Sequence, residues 1–187
     1  MTEWTSETAD WYASNYGEYP TNRLAVDELA LPYDAVIVDI GCGTGYALRH
    51  ASWRVTHGRL IGIDPVPRMI EMAEERTLGH PHSARIEFRE GSAENIPVGD
   101  DAADVVFAFD SLDHWQDLER GLREIRRILS RRGMLAVVKD GAVPGAAEVG
   151  RVSAETVRSA GFSSVAQREI SGEGVRFTLW TWQLAER

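Results

Sequence analysis

The chain has 187 residues, of which 43% are hydrophobic, and this is the size and composition of a single globular domain. The formal net charge of −9 argues against DNA or structured RNA as the main partner, because phosphate binding needs clustered Lys and Arg. The single cysteine, Cys42, excludes an internal disulfide, and five scattered histidines without cysteine partners do not predict a metal site.

The first 32 residues are polar but rich in aromatic rings. They contain no apolar signal segment. No apolar run in the chain approaches the length of a membrane span, about 18 residues, so we expect a cytoplasmic protein with no membrane partner. The stretch WYASNYGEYPTNR carries Trp11, Tyr12, Tyr16 and Tyr19 and ends at Arg23. Two interpretations are open: a cap whose aromatic faces suit a cationic ligand, or an amphipathic helix packed on a sheet edge.

The stretch VIVDIGCGTGY, Val36–Tyr46, predicts a buried strand, a glycine-rich turn and the start of a helix whose free N–H groups face the turn. Within it, Asp39, Gly41, Gly43 and Gly45 form a D-x-G-x-G-x-G pattern. The dinucleotide fingerprint requires G-x-G-x-x-G instead. Asp39 would repel a pyrophosphate but could hold an ammonium group. The pattern therefore favours S-adenosylmethionine (SAM) over NAD.

A second acid follows the next predicted strand, Arg59–Asp64. Asp64 stands at the tip of that strand, 19 residues after Gly45. A carboxylate in this position can accept hydrogen bonds from both hydroxyls of a ribose, which contributes roughly 1.5–3 kcal/mol. NAD and SAM both carry such a ribose, so Asp64 indicates an adenosine ligand without choosing between them. The structural alternative is that Asp39 is a cap and Asp64 an ordinary turn residue.

The rest of the chain continues the alternation of strands and helices. An apolar run before residue 110 is typical of a buried parallel strand, Asp117 is a predicted helix N-cap, and the SGEG stretch predicts a hairpin near the end. The predicted helices cover Tyr46–Val55, Pro67–Leu78, residues 117–133 and Ala154–Ala160, and the predicted strands cover Arg85–Glu90, Ala103–Phe109, Met134–Lys139, Val165–Ile170 and Val175–Leu184.

This order of elements resembles the class I SAM-dependent methyltransferases, in particular the methyltransferase type 11 group. Four motifs carry the resemblance: VIVDIGCGTGY, GIDPVPRMIEMA, GSAENIPVGDDAADVVFAFDSLDHWQD and REIRRILSRRGMLAVV. The resemblance implies an α/β fold, Rossmann-like and doubly wound, with seven strands in the order 3-2-1-4-5-7-6 and strand 7 antiparallel. It also implies a helical cap over residues 1–32 and a SAM-binding domain over residues 33–187.

The resemblance further implies roles for individual residues. The glycines would line the methionine part of SAM, Asp39 would bind its ammonium, Asp64 its ribose, and Met69 would pack on the adenine. Members often have Asp where this chain has Ser92, so Ser92 or Glu94 would take the adenine amino group. The expected cofactor-binding residues are Asp39, Gly41, Cys42, Gly43, Gly45, Asp64, Pro65, Met69, Ser92, Ala93, Glu94, Phe109, Asp110 and Ser111.

The acceptor side carries weaker signals. A sulfonium methyl group needs mainly an aligned acceptor, so no obligatory catalytic residue follows. His114 is the candidate base, the alternative being a helix-entry residue, and Trp115 is either a pocket wall or part of the core. Similar proteins use the amino-terminal segment as a cap over SAM and acceptor, which would involve Trp11 to Arg23. Residues 140–153 contain no inserted lid, so we expect an acceptor site that is open or completed by a second copy in a homodimer.

The sequence therefore predicts a SAM-dependent methyltransferase acting on a small molecule. Two alternatives stay open: a non-catalytic SAM-binding regulatory partner, and a methyltransferase for a protein or tRNA, of which tRNA is disfavoured by the acidic charge. The chain lacks an N/D-P-P-F/Y-type tetrapeptide, which argues against methylation of nucleobase amines or glutamine amides. No metal is expected.

Overall fold

The computed structural model describes residues 5–140 and 154–185. Within those ranges no helix is both long and apolar enough to cross a membrane. In chain order the elements are α1 (Ser6–Tyr16), α2 (Pro20–Glu28), β1 (Val36–Ile40), α3 (Tyr46–Ala51), β2 (Arg59–Asp64), α4 (Pro67–Thr77), β3 (Ile86–Glu90), β4 (Ala103–Phe109), α5 (Leu118–Ile128), β5 (Leu129–Asp140), α6 (Ala154–Ser159), β6 (Phe162–Gly172) and β7 (Val175–Leu184), with 3-10 turns at Ser83–Arg85 and Leu112–His114.

The seven strands form one sheet in the order β3-β2-β1-β4-β5-β7-β6. The first five are parallel, and β7 runs antiparallel between β5 and β6. The predicted fold class and strand order are confirmed. In such a sheet the carboxyl ends of the parallel strands share one edge, and the strand order reverses between β1 and β4. That reversal is where open α/β sheets bind ligands.

Hydrophobic side chains cover both faces of the sheet. Val106 belongs to a buried cluster with Ile125 of α5 and Val157 of α6. Its neighbour Phe107 belongs to another buried cluster, with Leu48 of α3. Successive residues of a strand point to opposite faces, so the continuous apolar run in β4 fills two cores at once.

Several element boundaries differ from prediction. The fifth helix, α5, ends at Ile128 rather than at the Arg-Arg-Gly of residues 131–133. Leu129 is fully buried and pairs with Ala103, so the chain enters β5 five residues earlier than the pattern indicated. The predicted N-cap of that helix is confirmed, because the Asp117 carboxylate accepts a hydrogen bond from the Arg120 N–H at 2.9 Å.

The first 32 residues contain two helices of different character. From α1, Ala9 and Ala13 pack against Met69 and Met72 of α4. By contrast, α2 is part of the sheet's own core, and its Val26 is fully buried. The division into a cap over 1–32 and a domain over 33–187 stays a prediction, and these contacts make α1 the part that best fits a cap.

Candidate functional site

The three glycines after β1 all adopt the left-handed backbone, with φ of +76° at Gly41, +51° at Gly43 and +75° at Gly45. A side chain is excluded for a second reason at two of them. A Cβ on Gly41 would lie 2.6 Å from the Ser111 Cβ, and one on Gly45 would lie 2.5 Å from the Phe88 ring. Only at Gly43 would a Cβ meet nothing within 4 Å. The outer glycines therefore pack the loop against protein, and Gly43 faces open space.

Two buried carboxylates stand beside this loop. Asp64 accepts hydrogen bonds from the N–H groups of Gly43 and Val66, both at 3.0 Å, and burial raises its pKa to about 6. Asp39 is 2% exposed and has no hydrogen-bond or ion-pair partner among the described residues. Burial, and next the negative charge of Asp64, raise the pKa of Asp39 to about 8. An unpaired buried carboxylate is costly, so this arrangement suits a site that receives a cation.

The loop opens into a cleft of about 470 Å³, which we call the loop cleft. The cleft is lined by Tyr12, Tyr16, Gly17, Tyr19, Asn22, Gly41, Cys42, Gly43, Thr44, Phe109 and Asp110. The structure thus brings three of the predicted cap aromatics together with the predicted glycine loop. Burial, followed by the charge of Asp110, raises the pKa of Tyr12 to about 12, so its hydroxyl stays protonated.

Gly17, Asn22 and Thr44 line the loop cleft although the sequence did not single them out. The Thr44 hydroxyl donates to the Gly17 carbonyl, across 27 positions of the chain. Arg49, 7% exposed, donates to the Thr44 carbonyl and to the Glu18 carboxylate. These bonds fasten the turn between α1 and α2 to the start of α3. The signal available in the sequence was an arginine in the helix that directly follows the glycine loop, where it could reach the loop's carbonyl groups.

The predicted adenine-side residues lie around α4 and the segment after β3. Met69 is buried against α1, whereas Pro65 is exposed. Ala93 is buried in the core. The Glu94 carboxylate accepts from the N–H groups of Gln116 and Asp117 at 2.7 and 3.0 Å, and so holds the entry to α5. Burial opposes ionisation of Glu94, but these hydrogen bonds outweigh it and lower its pKa.

The carboxyl end of β4 carries Phe109, Asp110 and Ser111, as predicted. Asp110 has a left-handed backbone, with φ of +50°, and its N–H donates to the Val138 carbonyl at 3.1 Å. For a residue with a side chain that conformation is strained, which is typical of functional sites. The Ser111 hydroxyl is buried and finds no hydrogen-bond partner within the described ranges.

Several predicted acceptor-side residues are not brought to the loop cleft. Trp11 is 56% exposed and contacts the Tyr16 ring edge-on. Arg23 forms ion pairs with Asp27 and Glu173. The other two lie after β4: His114 is exposed, and Trp115 is partly buried, packed on Gly121 of α5 and against the core.

A second cavity of about 450 Å³ shares one lining residue, Asp110, with the loop cleft. We call it the β5 cavity. Its lining residues are Asp110, Leu112, Asp113, Val137, Val138, Lys139, Ala154, Val157, Trp180 and Trp182. The sequence pointed to none of these except Asp110. The predicted loop without a lid, residues 140–153, lies outside the described residues apart from the backbone of Asp140.

A search of the described part of the chain finds no group of three or more His, Cys, Asp or Glu side chains that could hold a metal ion. Cys42 is buried, and burial raises the pKa of its thiol. These groups offer no metal-ligand set and no ionised thiol in the loop cleft. The lining of the cleft offers the Asp110 carboxylate, the glycine loop and aromatic side chains, while Asp39 and Asp64 are buried beside the loop.

Comparison with known proteins agrees with this geometry. The family model described as "Methyltransferase domain" matches residues 38–137. A demethylmenaquinone methyltransferase of Desulfitobacterium hafniense (strain Y51) is 33% identical over 114 residues, which is 60% of this chain and 45% of that protein. The chain thus spans less than half the length of that relative.

Solved structures share the fold. A SAM-dependent methyltransferase from Aquifex aeolicus has a TM-score of 0.75 at 18% identity, covering 97% of this chain and 100% of that one. The [4+2]-cyclase SpnF has a TM-score of 0.74 at 21% identity, covering 89% of this chain and 80% of that one. At these identities the likeness shows the fold alone, and a cyclase shares it.

Proposed function

The chain belongs to the methyltransferase domain family, whose methyl donor is SAM, and on that premise we propose that it transfers the methyl group of SAM to a small-molecule acceptor. The observation that carries the proposal is the pair of buried carboxylates beside a left-handed glycine loop. Asp39 lies in β1, at the reversal point of the sheet, Asp64 ends the neighbouring strand β2, and a Cβ on Gly43 of the loop beside them would meet open space.

The residues present fit this donor. Asp39 is a buried acid without a hydrogen-bond or ion-pair partner in the described ranges, and an ammonium group would take the place of the proton that its raised pKa of about 8 retains. The Asp64 oxygens already accept from Gly43 and Val66, but each oxygen retains a further lone pair for a ribose hydroxyl. The roles of Met69, Ala93 and Ser92 on the adenine side are proposed on the family resemblance.

The donor supplies a sulfonium methyl group, whose carbon–sulfur bond breaks with its electron pair left on sulfur while the acceptor forms the new bond to carbon and loses a proton. The chain's own contribution is to hold and to align. Tyr12, Tyr16 and Tyr19 present aromatic rings to the cleft, and such faces stabilise a cation by roughly 0.5–2 kcal/mol. The Tyr12 hydroxyl, whose pKa burial raises to about 12, adds no negative charge to the cleft.

A small molecule is the best-supported acceptor. The Desulfitobacterium relative is named a demethylmenaquinone methyltransferase, not a methyltransferase for a protein or tRNA. The net charge of −9 disfavours a nucleic acid acceptor. Both clefts lie at the ligand edge of the sheet, and aromatic side chains line each of them.

The test is a transfer assay with the purified chain. It is incubated with SAM and pooled metabolites, and products are detected by a mass gain of one methyl. We expect one dominant acceptor and equimolar S-adenosylhomocysteine, both lost in Asp39→Asn. SAM binding without any transferred methyl group would make the chain a non-catalytic SAM-binding protein and contradict the proposal.

A further inference from the structure

We propose that Arg49 is a positioning residue for the SAM site: it locks the turn between α1 and α2 onto the glycine loop and so holds Tyr16, at the end of α1, in the wall of the loop cleft. The inference deepens the proposed methyl transfer and rests on it. Three observations carry it: the hydrogen bonds that join the turn to the loop, the burial of the Arg49 side chain, and the position of the joined residues in the cleft wall.

Two hydrogen-bond routes join the same two segments of the chain. In the first, the Thr44 hydroxyl donates to the Gly17 carbonyl at 2.5 Å. In the second, the Arg49 guanidinium donates to the Thr44 carbonyl at 2.5 Å and to the Glu18 carboxylate at 3.1 Å. Thr44 belongs to the glycine loop, and Gly17 and Glu18 lie in the turn that links α1 to α2. We call this set of bonds the turn clasp.

The guanidinium of Arg49 suits this place because it is planar and carries several donors. The Arg49 side chain is only 8% exposed, and its Cζ atom lies 5.9 Å from the centre of the Tyr46 ring. Burial lowers the pKa of Arg49, and the negative charge of Glu18 opposes that change. A buried cation is stable only when its donors are paired, so the Thr44 carbonyl and the Glu18 carboxylate are both held against it.

The residues that the clasp joins lie in the wall of the proposed SAM site. Gly17 and Thr44 line the loop cleft, together with Tyr12 and Tyr16 of α1. Tyr16 is the last residue of α1 and directly precedes Gly17. The place of the Tyr16 ring in the cleft wall therefore depends on where the clasp holds Gly17.

The body of α1 is held by other contacts. The Arg76 guanidinium of α4 donates to the Ala13 carbonyl at 3.1 Å, and Arg68 of α4 forms an ion pair with Asp10 at 2.8 Å. Neither contact involves the clasp. We therefore expect that opening the clasp loosens the turn after α1 but leaves α1 packed on α4, so that the chain still folds while SAM binding weakens.

The test measures SAM binding to the full chain by isothermal titration. Arg49→Met should weaken SAM by about tenfold, because it removes two hydrogen bonds from a charged donor that hold the cleft wall. Arg49→Lys keeps the charge but lacks the planar fork, so we expect an intermediate loss. Glu18→Ala should also weaken SAM, whereas Glu7→Ala, at an exposed acid in the first turn of α1, should bind normally.

Arg85→Met is the matched control for general destabilisation. The Arg85 guanidinium donates to the backbone carbonyls of Ser52 and Val55, just beyond the carboxyl end of α3, and none of these three residues lines the loop cleft or the β5 cavity. This variant should lower the melting temperature without changing the SAM dissociation constant. Equal weakening of SAM by Arg85→Met and Arg49→Met would make Arg49 a stabilising residue only and would overturn the inference.

A double-mutant cycle separates positioning from stability. Tyr16→Leu alone should weaken SAM about two- to fivefold, the equivalent of an exposed cation–π contact. In the Arg49→Met background the same change should have little further effect, because the ring is no longer held in the cleft wall. If Tyr16→Leu weakens SAM by the same factor in both backgrounds, Arg49 does not act through the end of α1 and the inference is wrong.

Arg49→Lys and Glu18→Ala carry the test if circular dichroism shows that Arg49→Met does not fold. A SAM dissociation constant that stayed at the wild-type value in the folded variants of Arg49 and Glu18 would also overturn the inference. That result would leave the proposed methyl transfer intact, because it concerns only how the cleft wall is held. A wild-type chain that bound no SAM would instead contradict the proposed function, and the inference would fall with it.

Discussion

The two halves of the ligand edge are held in different ways. Around the loop cleft, backbone conformation and backbone hydrogen bonds shape the site: three glycines are left-handed, and two backbone N–H groups donate hydrogen bonds to Asp64. Around the β5 cavity, side chains form the walls, among them two tryptophans and the Asp113–Lys139 ion pair. Backbone geometry tolerates little substitution, whereas side chains can be exchanged one by one. We call the side of the loop cleft, where the proposed SAM site lies, the donor half of the ligand edge.

The largest expected effect tests how rigid the donor half is. Gly41→Ala adds a Cβ 2.6 Å from the Ser111 Cβ at φ of +76°. We expect SAM affinity to fall about 10- to 100-fold, equivalent to the 1–3 kcal/mol typical of overpacking. Gly79→Ala is the matched control, because Gly79 has φ of +77° with nothing within 4 Å of a Cβ. It should lose only the about 1–2 kcal/mol of stability that a left-handed alanine costs.

The clash itself can be relieved. Adding Ser111→Gly to Gly41→Ala removes the Cβ that the new methyl group meets, so SAM binding should recover in part. If Gly79→Ala impaired SAM binding as strongly as Gly41→Ala, general destabilisation would explain both, and the loop would not be the fixed part of the site.

A smaller loss is expected from Asp64→Ala. This variant removes a charged acceptor for two ribose hydroxyls and also leaves the Gly43 N–H without its partner. SAM should bind about tenfold more weakly or worse, in a protein that still folds. Glu74→Ala, at an exposed acid of α4, is the control and should bind normally. An unchanged dissociation constant in folded Asp64→Ala would remove Asp64 from the donor half.

The buried acids also predict a pH dependence of stability. The folded-state pKa of Asp39 is about 8, above the unfolded value of about 3.9, so the folded state holds a proton that the unfolded state releases between those values. Stability should therefore fall as pH rises from about 4 to 8 and change no further above that. Asp64, with a pKa of about 6, acts in the same direction.

The measurement is thermal unfolding of the ligand-free protein from pH 5 to 9. Asp39→Asn cannot ionise, so its melting temperature should exceed that of wild type by an amount that grows up to about pH 8. Asp104→Asn, at an exposed acid of β4, is the comparison and should show no growing difference. A constant offset between Asp39→Asn and wild type would contradict a buried, protonated Asp39.

The smallest effect concerns the helix over the donor half. Tyr12 lines the loop cleft, whereas its neighbour Trp11 is exposed and does not. Tyr12→Leu should weaken SAM about two- to fivefold, the equivalent of an exposed cation–π contact, and Trp11→Leu should not. Hydrogen exchange in α1 should slow when SAM is added. If the hydrogen-exchange rate of α1 were the same with and without SAM, and both variants bound SAM equally well, the aromatic residues of α1 would serve only in packing.

Point variants are preferable here to removal of the first 30 residues. Such a deletion would also remove Val26, which is fully buried in the sheet core. Loss of SAM binding could then reflect unfolding rather than loss of a cap.

The sequence predicted the donor half because its signals are local. Asp39, the glycines and Asp64 lie at the ends of two neighbouring parallel strands, so spacing along the chain is enough to bring them together. The contact between Gly45 and the Phe88 ring needed the pairing of β2 with β3 and could not be inferred from the motif. Likewise the end of α5 depended on the burial of Leu129, which tertiary packing decides.

The β5 cavity could not be predicted in this way. The β5 cavity joins residues from Asp110 to Trp182, and the antiparallel register that pairs Val137 with Trp180 brings its walls together. His114 was the candidate base because of its residue type and position, yet the 3-10 turn at Leu112–His114 exposes it and leaves Asp113 at the cavity. The role of His114 as a base stays a prediction.

Isothermal titration of the wild-type chain with SAM, S-adenosylhomocysteine and NAD tests the central claim most directly, because two buried carboxylates beside the loop should accept a cationic amino acid and repel a pyrophosphate. We predict that SAM and S-adenosylhomocysteine bind with micromolar dissociation constants, about −8 kcal/mol, and that NAD shows no binding at the same concentrations. NAD binding as tightly as SAM would contradict the account.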